Sequence, residues 1–239
     1  MAALKLSVNL VLEFEKTNMK RQIITTKDGS KSLYLPDLYE NYHSDHGALQ
    51  ESMHVFIQSG WKEVDLETVR VLEIGFGTGL NAIITLKAGI EDKKTVKYTG
   101  LEAFPVTVEE VDLLEYDQLE GIEDVQDEFK KMHAVNWDED VEITDAFTLT
   151  KVKQKMEVFI PEKEGFDLVY FDAFGPRAQP FMWTNDVLQK MYDALSTNGV
   201  FVTYCAKGDV RRSLISLGFE VEKIPGPPGK REMLRARKK

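Results

Sequence analysis

From residue 69 onward, short apolar runs alternate with stretches of helical periodicity, and this alternation restricts the fold more than any other feature. The runs are VRVLEIG, VKYTGLE, DVEITDA, FDLVYFD and GVFVTYC. Between them, GLNAIITLKAG reads as a helix closed by Gly89, and residues 106–133 as acidic and helical. TNDVLQKMYDALSTNG reads as a helix capped by Thr184 or Asn185, and KGDVRRSLISLG as a short helix ended by Gly218. Alternating βα units predict an α/β fold with a doubly wound, mainly parallel sheet. FEVEKI and REMLRAR around the turn PGPPGK predict a terminal hairpin. A tight turn cannot join parallel strands, so that hairpin must add an antiparallel strand. The expected sheet has seven strands, five from the alternation and two from the hairpin.

Ahead of this pattern, RQIITTKDGSKSLYLP alternates around Asp28-Gly29, a hairpin signal. Leu49, Met53, Phe56 and Ile57 then follow at helical spacing. Residues 1–60 are expected to form a small extension of hairpin, loop and helix, and residues 61–239 the main domain.

The 239 residues are 43% apolar and 29% charged, enough to bury a core and keep a polar surface. No apolar run approaches the roughly 20 residues that span a bilayer. The start, MAALKLSVNLVLEFEK, lacks a basic region ahead of an apolar segment and a cleavage site. No export signal is read, no membrane partner is expected, and a cytoplasmic location follows. The single Cys205 suits a reducing compartment and, ending an apolar strand, reads as an inert buried thiol. His43, His46, His54 and His133 show no metal-ligand spacing, so no metal is expected. The chain carries no clear oligomer signal, and a monomer is expected.

Net charge is −10 and the pI about 5.0, which argues against nucleic-acid binding by the whole surface. The charge is uneven. Residues 207–239 hold ten Lys or Arg against four acids, a net +6 that leaves −16 elsewhere. That end is either a solvated tail or a local site for an anionic partner.

The first strand runs into VLEIGFGTGLN, with Gly75, Gly77 and Gly79 at the strand-to-helix turn. Glycines there let the backbone turn sharply and approach a ligand. The dinucleotide fingerprint requires a glycine where Leu80 stands, so a nicotinamide dehydrogenase is excluded by spacing. The pattern from Glu73 instead resembles that of Rossmann-like S-adenosylmethionine-dependent methyltransferases. Glu102, ending the second strand, is placed to accept from ribose hydroxyls. Asp145, ending DVEITDA, is placed to accept from an adenine amino group, since ligands of open α/β sheets bind at the carboxyl edge. Asp172 ends the strand FDLVYFD, followed by Phe174, Gly175 and Pro176.

FDLVYFDAFGPRAQPFMW, KGDVRRSLISLGFEVEK and PGPPGKREML together resemble the MnmD family of tRNA 5-aminomethyl-2-thiouridine methyltransferases, found also as the amino-terminal half of bifunctional MnmC enzymes. YHSDHGALQES resembles a stretch the family carries before its glycine turn. The likeness runs from about residue 20 to 237. It implies methyl transfer from S-adenosylmethionine to the primary amine on carbon 5 of the wobble (2-thio)uridine in tRNA. The bifunctional members carry a flavin oxidase domain after this point. No flavin is expected here, and the aminomethyl precursor is expected from separate enzymes.

By that resemblance the cofactor is held by Tyr42, Ser44, Glu51, Glu73, Gly75, Gly77, Gly79, Asn81, Glu102, Ala103, Asp145, Ala146 and Asp172, with the extension capping it. His43 is a candidate base, or more simply a structural hydrogen-bonding residue. Asp172 and Phe174 are the candidate catalytic residues, Asp172 accepting from the substrate amine and stabilising charge that grows on nitrogen. Phe174 is placed to stack on a flipped base, Gly175-Pro176 to stiffen the loop, and Pro180 to Trp183 to wall it. Lys207, Arg211, Arg212, Lys230 and Arg231 are placed to grip phosphates of the anticodon stem. Two other readings compete: an amine methyltransferase acting on a small molecule or protein, and a noncatalytic RNA-binding protein. Intact Glu73, the glycines, Glu102 and Asp172 argue against the second. The acidic segment 106–140 reads only as a solvated helical region.

Overall fold

The computed structural model describes residues 20–239. The first part of the expected 1–60 extension lies outside the described residues. From there β1 (Gln22–Thr25) and β2 (Lys31–Leu35) pair antiparallel across Asp28-Gly29, and β3 (Glu40–Asn41) adds to β2. Helix α1 (Ala48–Ser52) continues into one π-helical stretch, Met53–Gln58. Leu33, Ala48, Val55 and Phe56 are buried in the same core as the main sheet's Val71, Tyr98 and Tyr170.

The βα alternation is present. Strand β4 (Thr68–Ile74) feeds α2 (Leu80–Asp92), and β5 (Thr95–Leu101) feeds α3 (Val108–Leu114) and α4 (Gln126–Ala134). Strands β6 (Asp140–Thr144) and β7 (Phe147–Val152) follow, then β8 (Phe166–Phe171), α5 (Asn185–Ala194), β9 (Leu195–Thr203), α6 (Gly208–Ser216), β10 (Phe219–Pro225) and β11 (Glu232–Lys238). The large sheet has eight strands in the order β10-β11-β9-β8-β4-β5-β7-β6. Strands β9, β8, β4, β5 and β7 are mutually parallel, while β11 and β6 run against them. Side chains alternate across the sheet. Val69 and Val71 of β4 enter one core, and Leu72 and Ile74 enter the other, against α5 and α6.

One assignment is corrected. DVEITDA is not the third parallel strand. It forms β6, which returns through a short turn into β7, and such a turn enforces antiparallel pairing. The third parallel strand is β7, whose Phe147 pairs with Val96 at the start of β5. Asp145 and Ala146 therefore lie at the amino edge of the parallel strands, where Ala146 O accepts from Val96 N at 2.8 Å. That is the edge opposite the glycine turn, so neither residue is placed to hold a cofactor there. This hairpin also accounts for the strand beyond the expected seven.

No helix among the described residues is long and apolar enough to cross a membrane.

Candidate active site

The carboxyl ends of β4, β5 and β8 converge on the glycine turn. Gly75 has φ +94°, and a Cβ there would stand 2.9 Å from the backbone oxygen of Asp172. Gly79, with φ +75°, precedes α2, and its Cβ would stand 2.8 Å from His133 Nε2. Both positions therefore combine a left-handed backbone with a close neighbour, which only glycine accommodates. The His133 neighbour comes from α4. Its Nε2 donates to Thr78 O at 3.1 Å, and burial, then the Lys151 charge, pushes the ring down to about 4. The acidic segment thus supplies a neutral imidazole that braces the turn.

Glu73, at the end of β4, is fully buried. It accepts from Asn81 Nδ2 at 2.8 Å and from the Tyr98 hydroxyl at 2.8 Å. Burial, then the nearby Asp172 charge, holds its carboxyl well above the usual range. Asn81 Nδ2 also donates to Asp172 Oδ2 at 2.9 Å. The Asp172 carboxyl is pushed up to about 7, first by burial and then by Glu51, while the Asn81 hydrogen bond and Lys230 oppose the shift. Glu102 is fixed by two backbone donors: Gly77 N to Oε2 at 2.9 Å and Phe104 N to Oε1 at 2.8 Å. Each oxygen keeps accepting capacity for a hydroxyl. Ala103, between these donors' anchor points, is half-buried.

The extension closes one side. Tyr42 packs on Gly77, whose Cβ would lie 3.3 Å from the Tyr42 ring. Its ring meets Phe174 edge-on at 5.3 Å and 85°. Arg21 holds Tyr42 in place by donating Nε to its hydroxyl at 3.0 Å and Nη1 to Glu110 Oε2 at 2.9 Å. Ser44 donates its backbone N to Glu51 Oε2 at 2.7 Å. His43 bonds Ser32 Oγ through Nδ1 at 3.0 Å, the structural reading of that residue. Burial pushes its ring down to about 4.

The loop after β8 is stiffened from within. Phe174 N donates to Gln179 Oε1 at 3.0 Å, and Gly175 O accepts from Ala178 N at 2.8 Å. Trp183 is buried against Phe171 and donates Nε1 to Phe174 O at 2.8 Å. It props Phe174 from behind. Pro176 and Phe174 are half-buried.

The expected phosphate-gripping cations divide. Lys207 and Arg231 are exposed. Arg212 pairs with Asp209 on its own helix, and Arg211 is half-buried with its Nε unpartnered. Lys230 turns inward and pairs with Glu51 at 2.6 Å. Sequence reasoning passed over Arg21, Tyr98, His133, Lys151 and Tyr204. The alternation of FTLTKV would have revealed β7 and its inward Lys151, and the period of β5 places Tyr98 among buried residues. Nothing in the sequence ties Arg21 or His133 to the turn.

A doubly wound sheet, a glycine turn opening a helix, and carboxylates on the first two strand tips define an enzyme that binds an adenosine-bearing cofactor. This chain belongs to the S-adenosyl-L-methionine-dependent methyltransferase family, whose sequence profile its residues 119–239 match. It is 31% identical over 234 residues to the tRNA 5-methylaminomethyl-2-thiouridine biosynthesis bifunctional protein MnmC of Cupriavidus metallidurans, covering 90% of this chain and 33% of that protein. The MnmC protein of Hydrogenovibrio crunogenus is 28% identical over 233 residues, covering 92% and 34% respectively. This chain thus spans about a third of the length of these curated relatives. The crystal structure of MnmC2 from Aquifex aeolicus superposes with a TM-score of 0.76 at 27% identity, covering 93% of this chain and 71% of that one. The likeness read from DAFGP, VRR and GKREM agrees with these matches.

The residues present fit the family's cofactor. The turn offers open backbone beside Glu102, and buried Asn81 Oδ1 has no hydrogen-bond partner among the described residues.

Proposed function

We propose that this chain methylates the primary amine of 5-aminomethyl-(2-thio)uridine at the wobble position of tRNA, giving the 5-methylaminomethyl nucleoside. One observation carries the reaction type: Asn81 of the cofactor-side helix holds the Asp172 carboxylate at the lip of the glycine turn, 2.9 Å from Nδ2 to Oδ2. The acceptor class is supported by the MnmC relatives' names and by likeness along 90% of this chain.

S-adenosylmethionine would be held by the glycine turn, Glu102 and Asn81, and would supply an electrophilic methyl group. The acceptor amine would take that methyl through its nitrogen lone pair, with a neutral thioether as leaving group and the positive charge passing to nitrogen. Asp172, as a carboxylate, accepts a hydrogen bond from the amine, aims the lone pair and stabilises the growing charge. The surplus proton then passes to Asp172 or to water. A lysine-like amine costs roughly 4 kcal/mol to deprotonate at pH 7, so a dry pocket that disfavours the ammonium assists. Phe174, braced by Tyr42 and Trp183, offers a face for the extruded base. Lys207, Arg211 and Arg231 are the cations best placed to meet phosphate.

The test incubates the protein with methyl-labelled S-adenosylmethionine and tRNA from cells lacking this modification, then identifies the labelled nucleoside. Label in 5-methylaminomethyl-(2-thio)uridine supports the proposal. Label only on free amines or protein, or none, overturns it.

A further inference from the structure

Lys230 lies in the turn between β10 and β11, where Lys230 N donates to Pro227 O at 2.9 Å and Gly226 N to Arg231 O at 3.2 Å. These bonds fix its backbone, and the side chain folds inward. Its Nζ is 2.6 Å from Glu51 Oε1 and 3.9 Å from the centroid of the Tyr204 ring. The Tyr204 hydroxyl in turn donates at 2.9 Å to the carbonyl of Ala173, the residue after Asp172. Glu51 is itself immobilised, since its other oxygen accepts from Ser44 N. The ammonium is therefore clamped by a buried carboxylate and an aromatic face, beside the segment that carries Asp172.

The titratable groups around Asp172 come from every element packed on it. They are Glu73 of β4, Tyr98 of β5, Glu51 of α1, Tyr204 after β9 and Lys230 of the terminal hairpin, with Asn81 of α2 as a neutral donor. Glu73 is fully buried, which holds its carboxyl well above the usual range. Glu51 and Asp172 alone would make the pocket doubly negative and attractive to a protonated amine, which has no lone pair to methylate. Lys230 offsets one of those charges.

We propose that Lys230 is a positioning residue of the methyl-transfer site: its ammonium, clamped between Glu51 and the Tyr204 ring, favours the carboxylate form of Asp172 and admits the acceptor amine in its uncharged form. The second half rests on the amine acceptor proposed above; the first half does not. Removing Lys230 also leaves Glu51 without its counter-ion, so both changes drive Asp172 toward protonation. Removing the Glu51 charge has the opposite sign.

The experiment follows the Asp172 side-chain carboxyl by carbon-13 NMR titration in the free protein, assigned by its loss in Asp172→Asn. Lys230→Met should move the Asp172 midpoint up by roughly half a pH unit or more, because the lost Lys230 charge and the unbalanced Glu51 charge both act on it. Glu51→Gln should move it down, and Lys230→Arg should hold it near the wild-type value. The acid limb of kcat/KM for tRNA methylation should follow the same order. An Asp172 midpoint unmoved in Lys230→Met, or one that moves the same way in Lys230→Met and Glu51→Gln, overturns the proposal. So does a Lys230→Met protein whose main defect is tRNA affinity with a flatter salt dependence, the mark of a phosphate contact. Should Lys230→Met fail to fold, Glu51→Gln and Lys230→Arg decide alone. A wild-type protein that methylates no tRNA would remove the proposed acceptor and leave the titration to judge Lys230.

Discussion

Asn81 Nδ2 lies 2.9 Å from Asp172 Oδ2, and the same amide nitrogen reaches Glu73 Oε1 at 2.8 Å. One side chain thus commits both its N–H groups to two carboxyls at the tips of adjacent parallel strands, Glu73 fully buried and Asp172 half-buried. Burial disfavours the ionised form of both, and the Asp172 charge adds to the shift on Glu73. Glu73 is the deeper, and burial holds its carboxyl well above the usual range, while the Asp172 carboxyl is pushed up to about 7. The single amide opposes the upward shift on both, because each hydrogen bond it donates favours the ionised form.

Asn81→Ala should raise the Asp172 midpoint, because the lost hydrogen bond favoured the ionised form. A hydrogen bond to a charged group contributes roughly 1.5–3 kcal/mol, so methylation at pH 7 should fall about tenfold or more. Much of that loss should return at pH 8.5, where Asp172 ionises regardless. A pH–rate profile with saturating cofactor checks this; a loss of equal size at every pH would mean Asn81 acts only through packing.

Asp172→Asn should lose turnover by at least about 100-fold, yet gain stability above neutral pH. The sign follows from the shift: the carboxyl goes from 3.8 unfolded to about 7 folded, so the folded state holds the proton more tightly. The stability this gives is full below 3.8 and lost as pH rises to about 7. At roughly 1.4 kcal/mol per unit, the upper bound is about 4 kcal/mol. Thermal melts should show Asp172→Asn above wild type at pH 8 and level with it at pH 4.

Gly79→Ala should cost about 1–3 kcal/mol, since it adds strain at positive φ and a Cβ 2.8 Å from His133 Nε2. Adding His133→Ala relieves the contact but not the backbone strain, so the double variant should lose less than the sum of the singles. Melting temperatures of the four proteins close the cycle. Strict additivity would show that α4 does not press on the turn.

Much of this was legible beforehand, for physical reasons. Strands buried on both faces give unbroken apolar runs, so β4, β8 and β9 announce themselves, and the turn at Gly75–Gly79 is written in residues that few other backbones need. Glu102 and Asp172 could be placed because strand ends at one edge bind ligands. Asp145 failed because β6 and β7 sit at the sheet's rim, where the short turn between them is easily mistaken for a strand end. The inward pairing of Lys230 was not legible because sequence shows a cation but not the distant carboxylate at position 51 that draws it inward. The bracing of the turn by His133 depends on the fold of a segment whose local pattern is merely acidic.

Lys151 offers the last prediction. It is buried on β7, donates Nζ to His133 O at 3.1 Å and stands 4.9 Å from the Trp137 ring centroid. Burial pushes its ammonium from 10.5 down to about 8. The folded state therefore gives up this proton more readily than the unfolded chain. The resulting destabilisation is complete below about 8 and fades as pH rises toward 10.5. Lys151→Met, which keeps the volume and removes the charge, should accordingly stabilise the fold at pH 7 by at most about 3 kcal/mol, less whatever the two lost contacts contributed. The advantage should shrink by pH 10, and denaturant midpoints at the two pH values measure it. The same variant unties His133 from β7, so His133 and the turn it braces should loosen. Weaker cofactor binding in a more stable protein would identify Lys151 as a residue whose charge is kept for the site at the fold's expense.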